Sequence, residues 1–504
     1  MEPSWEFPLR IGAQADLTRL ESVLCDARFD QDTVCRILKI SQMSDIGSVD
    51  LAEIDFGRVP EHFALFVRLF LFVERLPRLE VERVLDRGVL DSFLTVGLLR
   101  TGSFGGIEEY YTPVFFYPVA GFWIASDRHD SPDGSPFVPP PDIVFPAIFG
   151  GTLRFLRLIG KKPVQNALDL CSGSGIGAMV LSRTAGRAVS SDLTSRASQY
   201  AEFNSWLNRC VNVSVLQGDL YEAVREETFD RIVAHPPYMP NVRRLAIWRD
   251  GGETGEAVVR RIIEGLPAHL RPGGSSYILC TGLDTEEGLF EERARGWLGA
   301  AQGEFNVLFG FADERSPAQL ALDLAKRGET WGPADIERLK QAFQEAGAKR
   351  IVYGVILLHR GAHGDRGPWT TRRRIALDTT EGSDFEWLLE WHGREGRPAF
   401  PEEIASCLPD LSPNLRVRVT HVVVDGSLVP GETLLETAQP FAQALKVDPW
   451  IAPLVAQFNG KRTPAEIYQG ARTEGSIPQS FQLQDFVSLV AWLLERRCLD
   501  AQFP

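Results

Sequence analysis

The chain has 504 residues, 44% of them hydrophobic and 24% charged, with a formal net charge of −14. That length exceeds one ordinary domain and predicts about two to four. The acidic balance argues against broad, non-specific nucleic-acid binding, which needs a basic surface, while leaving room for a local basic patch. The seven cysteines are odd in number and form no CxxC pair, so neither a zinc site nor a disulfide framework is expected. The amino-terminal stretch MEPSWEFPLRIGAQADLTRL lacks a basic segment followed by an apolar one. The apolar run 63–73 is short and broken by Arg68, which predicts a buried helix and not a membrane span. The cytoplasm is the expected compartment, with no membrane partner and no metal.

In chain order, residues 17–100 read as mostly helical. DLTRLESVLCDARF has apolar residues at helical spacing, with Asp16 as the expected cap. A second helix is predicted from Pro60, and EVERVLDRGVLDSFLTVGLLRTG reads as two short helices ending near Gly102. YYTPVFFYPVA and GFWIASD follow as a hairpin turning at Gly121. Helices followed by a hairpin outline either a winged-helix-like module or a simple helical cap. RHDSPDGSPFVPPPD is a loop rich in Pro, Asp, Ser and Gly, and it closes a first module, 1–142. IVFPAIFGGTLRFLRLIG is then expected as a helix entering the next domain.

From Val164 short apolar strands alternate with helices. Strands are predicted at 164–170, 187–192, 212–217, 229–234 and 274–281, with helices near 176–184, 195–208, 254–269 and 286–299. Two later strands, EFNVLFGFA and RIVYGVILLHR, enclose a helix at 333–347. This alternation predicts an α/β fold, a mostly parallel sheet covered on both faces, over 143–360. The stretch GAHGDRGPWTTRRR breaks the pattern and opens an α+β module, 361–504. Within it a hairpin is expected to turn at Asp425 and Gly426. Its carboxy-terminal helices suggest a second winged-helix-like or partner-binding unit, and TRRRI reads as solvated surface.

The chemistry concentrates at the strand ends. NALDLCSGSGIGAMVLSRTA is a strand, a glycine turn and a helix, in which Gly173, Gly175 and Gly177 allow close backbone approach to a ligand. A pyrophosphate-binding turn is spaced GxGxxG; this one is GxGxG, and Asp169 precedes it. A carboxylate there suits a cationic sulfonium ligand better than a pyrophosphate, which favours S-adenosylmethionine over a nicotinamide dinucleotide. Asp192 ends the second strand, where a carboxylate accepts ribose hydroxyls; capping the next helix is the structural alternative, for Asp192 or Thr194. Asp219 ends the third strand and can bond an adenine amino group, with Leu220 packing on the ring. His235 ends the fourth, in VAHPPYMP, where two prolines must stop the strand ladder.

These residues give the segment 143–360 its resemblance to the class I S-adenosylmethionine-dependent methyltransferases, of the Rossmann-like seven-stranded type. DLCSGSGIGA is similar to their first motif, and Asp192 and Asp219 fall on the ribose and adenine positions. Cys171, Leu193 and His235 join the implied cofactor contacts. VAHPPYMP resembles the Asn-Pro-Pro-Tyr motif of the N-methylating branch, which includes release-factor glutamine, ribosomal-protein, rRNA and adenine-N6 DNA methyltransferases. The family pattern implies that the side chain at 235 and the carbonyl of Pro236 hold the target nitrogen, with Tyr238 packing against it and Pro237 lining the acceptor side.

His235 departs from that pattern, standing where the family has Asn. A neutral imidazole offers one acceptor and one donor. It can imitate half of an Asn, or act as a general base, which would admit O-methylation. A merely structural role for His235 is the alternative. WRDGGETGE, next in the chain, reads as a glycine-hinged flap over the acceptor or as a plain helix entry, with Arg249 and Asp250 placed to read polar groups and Glu253 or Thr254 as the helix cap. Phe145 and Phe149 line either the core or the cofactor pocket. The expected function is methyl transfer from S-adenosylmethionine to a protein side chain or small metabolite. A nucleic-acid N-methyltransferase and a non-catalytic S-adenosylmethionine-binding protein are the alternatives.

Overall fold

The computed structural model describes residues 6–241, 247–326, 331–361, 367–395 and 397–503. Its main sheet contains β1 (Val164–Leu170), β2 (Ala185–Asp192), β3 (Val213–Gln217), β4 (Phe229–Ala234), β5 (Leu270–Thr285), β6 (Phe305–Arg315), β7 (Ala348–Arg360) and β8 (Thr370–Arg374). The strand order is β3-β2-β1-β4-β5-β7-β6-β8. Strands β1 to β5 are parallel, and β7 runs antiparallel between β5 and β6. The central strands are buried on both faces, which is why β4 and β7 read as nearly continuous apolar runs in the sequence.

Seven of these strands are the predicted ones; β8 is not. It pairs in parallel with β6, so the sheet runs past residue 360 into the segment assigned to the third module. Residues 362–366 of the expected boundary lie outside the described residues. The basic cluster on β8 is solvated only at Arg374; Arg372 and Arg373 are half-buried. Arg372 bonds Asp284 at 2.6 and 2.9 Å and Glu291 at 2.6 and 3.0 Å, between the rings of Phe309 and Phe311. Three consecutive arginines look exposed in one dimension, but acidic partners some eighty residues upstream make burial tolerable.

The helices flanking the site are α1 (Gly150–Leu158), α2 (Ile176–Leu181), α3 (Ser195–Leu207) and α4 (Ala257–His269). The helix expected over 143–160 is shorter than predicted, because 143–149 is not helical. Pro146 lacks a backbone donor and disfavours helix at the residue before it. In the first module Asp16 is not the cap: the helix Gln14–Asp26 starts earlier, and the Asp16 carboxylate accepts from the Ala13 N–H at 3.0 Å. Residues Arg100–Phe104, expected to end a helix, form a strand against Ile107–Tyr111. The hairpin Val114–Val119/Phe122–Asp127 turns at Ala120 and Gly121, both at positive φ. Rings of Phe29, Phe66, Phe70, Phe93 and Phe116 pack beneath it with centroids 5.1 to 6.2 Å apart.

Helix α3 joins this module to the sheet. The outer hairpin strand, Phe122–Asp127, has a free edge that α3 covers. Asn208 accepts from the Trp123 N–H (2.9 Å) and donates to the Trp123 carbonyl (2.7 Å). Asn204 does the same for Ala125, at 2.8 and 3.0 Å. One helical turn advances about 6 Å over four residues and a strand about 6.7 Å over two, so asparagines four apart match alternate residues of the edge. Asp127 closes the clamp: its carboxylate accepts from Arg196 Nε (2.8 Å) and Nη2, from the Tyr200 hydroxyl (2.8 Å) and from the Val144 N–H (2.8 Å).

The carboxy-terminal segment packs behind the sheet. Helix Gly382–Glu395 brings Glu386 to the buried Arg231 of β4 at 3.2 Å. A hairpin, Arg416–Val424/Ser427–Thr437, turns at Asp425 and Gly426, followed by helices Ile451–Val455, Pro464–Thr473 and Leu483–Glu495. Among the described residues no helix is long and apolar enough to cross a membrane. Asp127→Ala strands a buried guanidinium, a buried hydroxyl and a backbone N–H. It is expected to lower unfolding stability by about 3–5 kcal/mol in chemical denaturation. An unchanged midpoint would show that α3 and the hairpin are held by apolar packing alone.

Candidate active site

The sheet register brings the predicted strand ends together. Leu170 lies opposite both Ala234 and Ser191, and Asp192 lies opposite Gln217. The residues that follow, Cys171, His235, Leu193 and Asp219, therefore open onto one end of the sheet. The chain reverses direction in strand order at β1, flanked by β2 and β4. In open α/β sheets ligands bind at such a switch point, beyond the carboxyl ends of the strands.

The three glycines of the turn serve different needs. A Cβ on Gly173 (φ 55°) would meet nothing, so this position faces open space in the crevice. At Gly175 (φ 83°) it would come within 2.8 Å of Ala201 on α3, and at Gly177 within 2.5 Å of the Asp169 carboxylate. Asp169 itself faces inward, accepting from the Ala178 N–H at 2.9 Å and from the Ser172 hydroxyl. Burial pushes its pKa up to about 7, offset in part by those two donors. Cys171 takes a left-handed φ of 55°. Burial, and then the carboxylates of Asp192, Asp169 and Asp219, keep its thiol protonated, well above the usual range.

Asp192 accepts from the Gly173 N–H at 2.9 Å and the Thr194 N–H at 3.1 Å. Oδ1 is also met by the Thr194 hydroxyl at 3.5 Å, while Oδ2, bonded by Gly173, keeps a lone pair for a ligand hydroxyl. The cap of α3 is Thr194, accepting from Ala197, and not Asp192. Leu193 is half exposed beside Asp192, whereas Leu220 is 8% exposed at a left-handed φ of 53°. Asp219 is paired with Arg261 of α4 at 2.8 Å. A cavity of about 310 Å³ opens there, lined by Asp219, Leu220, Tyr221, Arg225, Arg261 and His269. An open glycine, a free lone pair on Asp192 Oδ2 and a concentration of carboxylates fit a ribose-bearing, cationic ligand such as S-adenosylmethionine.

On the acceptor side, His235 is sandwiched between Phe155 of α1 (5.4 Å, 29°) and Tyr238 (5.6 Å, 26°). Burial pulls its pKa down to about 4, so the imidazole is neutral at physiological pH. Among the described residues no hydrogen bond to its ring nitrogens is found. Pro236 is buried and Pro237 half-buried. The Tyr238 carbonyl accepts from Thr281 Oγ1 at 2.9 Å, and its ring lies 5.7 Å from that of Tyr353 of β7.

The glycine loop that follows folds back on this motif. A Cβ on Gly251 would lie 2.8 Å from Tyr238 Cα, and one on Gly255 (φ 91°) 2.6 Å from the Tyr238 carbonyl oxygen. Asp250 is engaged within the loop, accepting from Asn241 Nδ2 (2.6 Å) and the Gly252 N–H (2.9 Å). Arg249 lies 6.0 Å from the Trp248 ring. Helix α4 starts after Glu256, not Glu253 or Thr254; Glu256 ties the loop to β5 through the Leu283 N–H and pairs with Arg293. Phe145 stacks on Trp248 on one side and on Phe149 on the other. Sequence reasoning missed Phe155, Arg261 and Tyr353. Phe155 follows Gly151 by one helical turn, a usable signal; the others reach the site only through tertiary contacts.

Strand order, switch point and crevice together define a class I methyltransferase architecture. The family described as Methyltransferase small domain matches residues 148–298. A Methanocaldococcus jannaschii protein, provisionally named a protein N5-glutamine methyltransferase, is 32% identical over 29% of this chain and 76% of its own length. The release factor glutamine methyltransferase of Thermodesulfovibrio yellowstonii is 32% identical over 22% of this chain and 44% of its own. The ribosomal protein uL3 glutamine methyltransferase of Bradyrhizobium diazoefficiens is 30% identical over 32% and 55%. The chain thus spans about half the length of two of these three relatives. It belongs to the class I S-adenosylmethionine-dependent methyltransferases of the methyltransferase-small branch. The cofactor of that family is S-adenosylmethionine.

Asp192→Ala is expected to weaken S-adenosylhomocysteine binding by about a hundredfold, measured by titration calorimetry, through loss of charge-assisted hydrogen bonds. Unchanged affinity would remove the ribose assignment. For Asp169 the folded pKa of about 7 lies above the ordinary 3.8. Its neutral form therefore supports the ligand-free protein at low pH, and that support is lost as pH rises from about 4 to about 7. Asp169→Asn should abolish this part of the pH dependence of thermal stability. An identical pH profile in the variant would contradict it.

Proposed function

We propose that the protein transfers the methyl group of S-adenosylmethionine to a side-chain nitrogen of a protein acceptor held at His235, Pro236 and Tyr238, with a glutamine amide as the favoured group. The observation that carries this reading is the neutral imidazole of His235, wedged between two rings at the end of β4 with no hydrogen bond from the described chain. S-adenosylmethionine supplies an electrophilic methyl carbon on a sulfonium: the C–N bond forms as the C–S bond breaks, S-adenosylhomocysteine leaves, one amide proton passes to solvent, and the protein supplies position. A ring nitrogen of His235 can accept one amide N–H, and the Pro236 carbonyl the other, so that the nitrogen lone pair faces the methyl group. Tyr238 covers one face of the planar amide.

The low pKa speaks against His235 as a general base. A group with a pKa of about 4 is a weak proton acceptor near pH 7, and general bases work best when matched to the operating pH. A hydroxyl acceptor, which must give up its proton to a base as it attacks, is therefore less well served than an amide nitrogen, whose proton can pass to solvent once the C–N bond has formed. The names of the relatives, glutamine methyltransferases of a release factor and of a ribosomal protein, favour a protein acceptor. The net charge of −14 weighs against nucleic acid. We assign acceptor choice to the flanking segments 1–142 and 361–504.

The test is transfer of labelled methyl from S-adenosylmethionine into the protein, RNA and small-molecule fractions of a cell extract, with label expected in protein. His235→Ala should lower transfer by about a hundredfold while leaving S-adenosylhomocysteine affinity unchanged, because only acceptor orientation is lost. His235→Asn should retain most of the activity. The kcat profile should lack an inflection near the ordinary histidine pKa of about 6.5. Such an inflection, lost in His235→Asn, would restore the general-base role.

A further inference from the structure

A stack of aromatic rings stands at the mouth of the His235 site. Trp248 lies 4.4 Å from Phe145 at 19°, and Phe145 lies 4.4 Å from Phe149 at 28°. His129 meets Phe145 edge-on at 5.3 Å. The rings come from three separate segments: the loop leaving the first module, the non-helical stretch before α1, and the loop after Tyr238. The stack is not core. Phe149 is 39% exposed and Trp248 38%, with Ile247 beside them at 43%.

Its inner end reaches the reacting site. Phe149 is the residue that starts α1, and Gly151, two residues on, packs against His235 and Tyr238: a Cβ there would lie 3.4 Å from His235 Cε1 and 3.8 Å from the Tyr238 hydroxyl. Trp248 is firmly placed, because Asp250, two residues later, pins the loop to Asn241 and Met239 exchanges backbone hydrogen bonds with Arg249 and Gly251. Exposed rings held in a fixed plane are a surface for stacking, since little rotamer entropy is lost when a partner covers them.

We propose that Trp248, backed by Phe145 and Phe149, is a positioning residue for the acceptor polypeptide, stacking on the extended segment that flanks the methylated side chain. The inference rests on the methyltransferase reading above. The occupant follows from continuity with the His235 site. Gly151 of α1 and Gly251 and Gly255 of the loop border His235 and Tyr238, so a protein side chain delivered there can lead its backbone out along this stack. A free metabolite would end inside the site. Planar peptide groups and apolar neighbours suit the exposed ring faces, and buried aromatic anchors dominate such contacts.

The test compares two acceptors: the protein fraction of a cell extract, and N-acetylglutamine methylamide, which carries the amide without flanking chain. Trp248→Ala should raise the half-saturating concentration of protein acceptor by about tenfold or more, with maximal rate and S-adenosylhomocysteine affinity within about twofold of wild type. Trp248→Phe should recover most of the loss, and transfer to the small amide should be equal in all three proteins. Unchanged saturation by protein acceptor in Trp248→Ala overturns the inference. So does an equal loss with both acceptors, or weakened cofactor binding, which would place Trp248 in the pocket itself. If the wild-type protein labels neither acceptor, the methyltransferase reading fails and the inference falls with it.

Discussion

The rest of the structure depends on how helix α3 satisfies a strand edge and a strand end at once. On one side Asn204 and Asn208 complete the backbone hydrogen bonding of the hairpin strand Phe122–Asp127. On the other, Asn204 donates to the Ser174 carbonyl at 2.9 Å inside the glycine turn, and Ala201 leaves room only for glycine at 175. An unpaired edge strand buried against a helix would otherwise carry several unsatisfied groups. The same contacts fix the turn that faces the cofactor, so the first module takes part in shaping the crevice. Arg196, Tyr200 and Asp127 then lock the arrangement with charge-assisted bonds in a dry setting.

The crevice is electrostatically uneven, and that unevenness matches the chemistry proposed for it. Asp169, Asp192 and Asp219 crowd the cofactor side, with Arg261 tempering Asp219. The acceptor side has a neutral histidine and two tyrosines. A cationic donor is drawn to the first half, and an uncharged nucleophile is tolerated in the second. Burial keeps the acceptor side neutral by lowering the imidazole pKa, whereas on the cofactor side it opposes ionisation of Asp169 and Asp192, which a bound cation restores. The glycine loop closes the acceptor side from above, held so near the Tyr238 backbone that only glycine fits at 251 and 255.

Much of this was legible from residue patterns. The alternation of short apolar runs with amphipathic helices located seven strands of the sheet, because parallel strands covered on both faces must be apolar throughout. Asp169, Asp192, Asp219 and His235 were found by their place at strand ends. Their division of labour was not. Asp169 turns inward to the Ala178 N–H, and Asp250 is occupied by its own loop. Arg372 misled because a run of charges carries no record of distant carboxylates.

The sequence by itself determined seven strands of the sheet, the glycine turn and the set of strand-end residues, since these follow from local period, backbone freedom and chain order. Only the tertiary structure decided the protonation of His235, the partner of Asp219, the burial of Arg372 and the placing of Trp248 over Phe145. Each of those depends on desolvation or on contact between segments far apart in the chain, and neither quantity is encoded in the spacing of neighbouring residues.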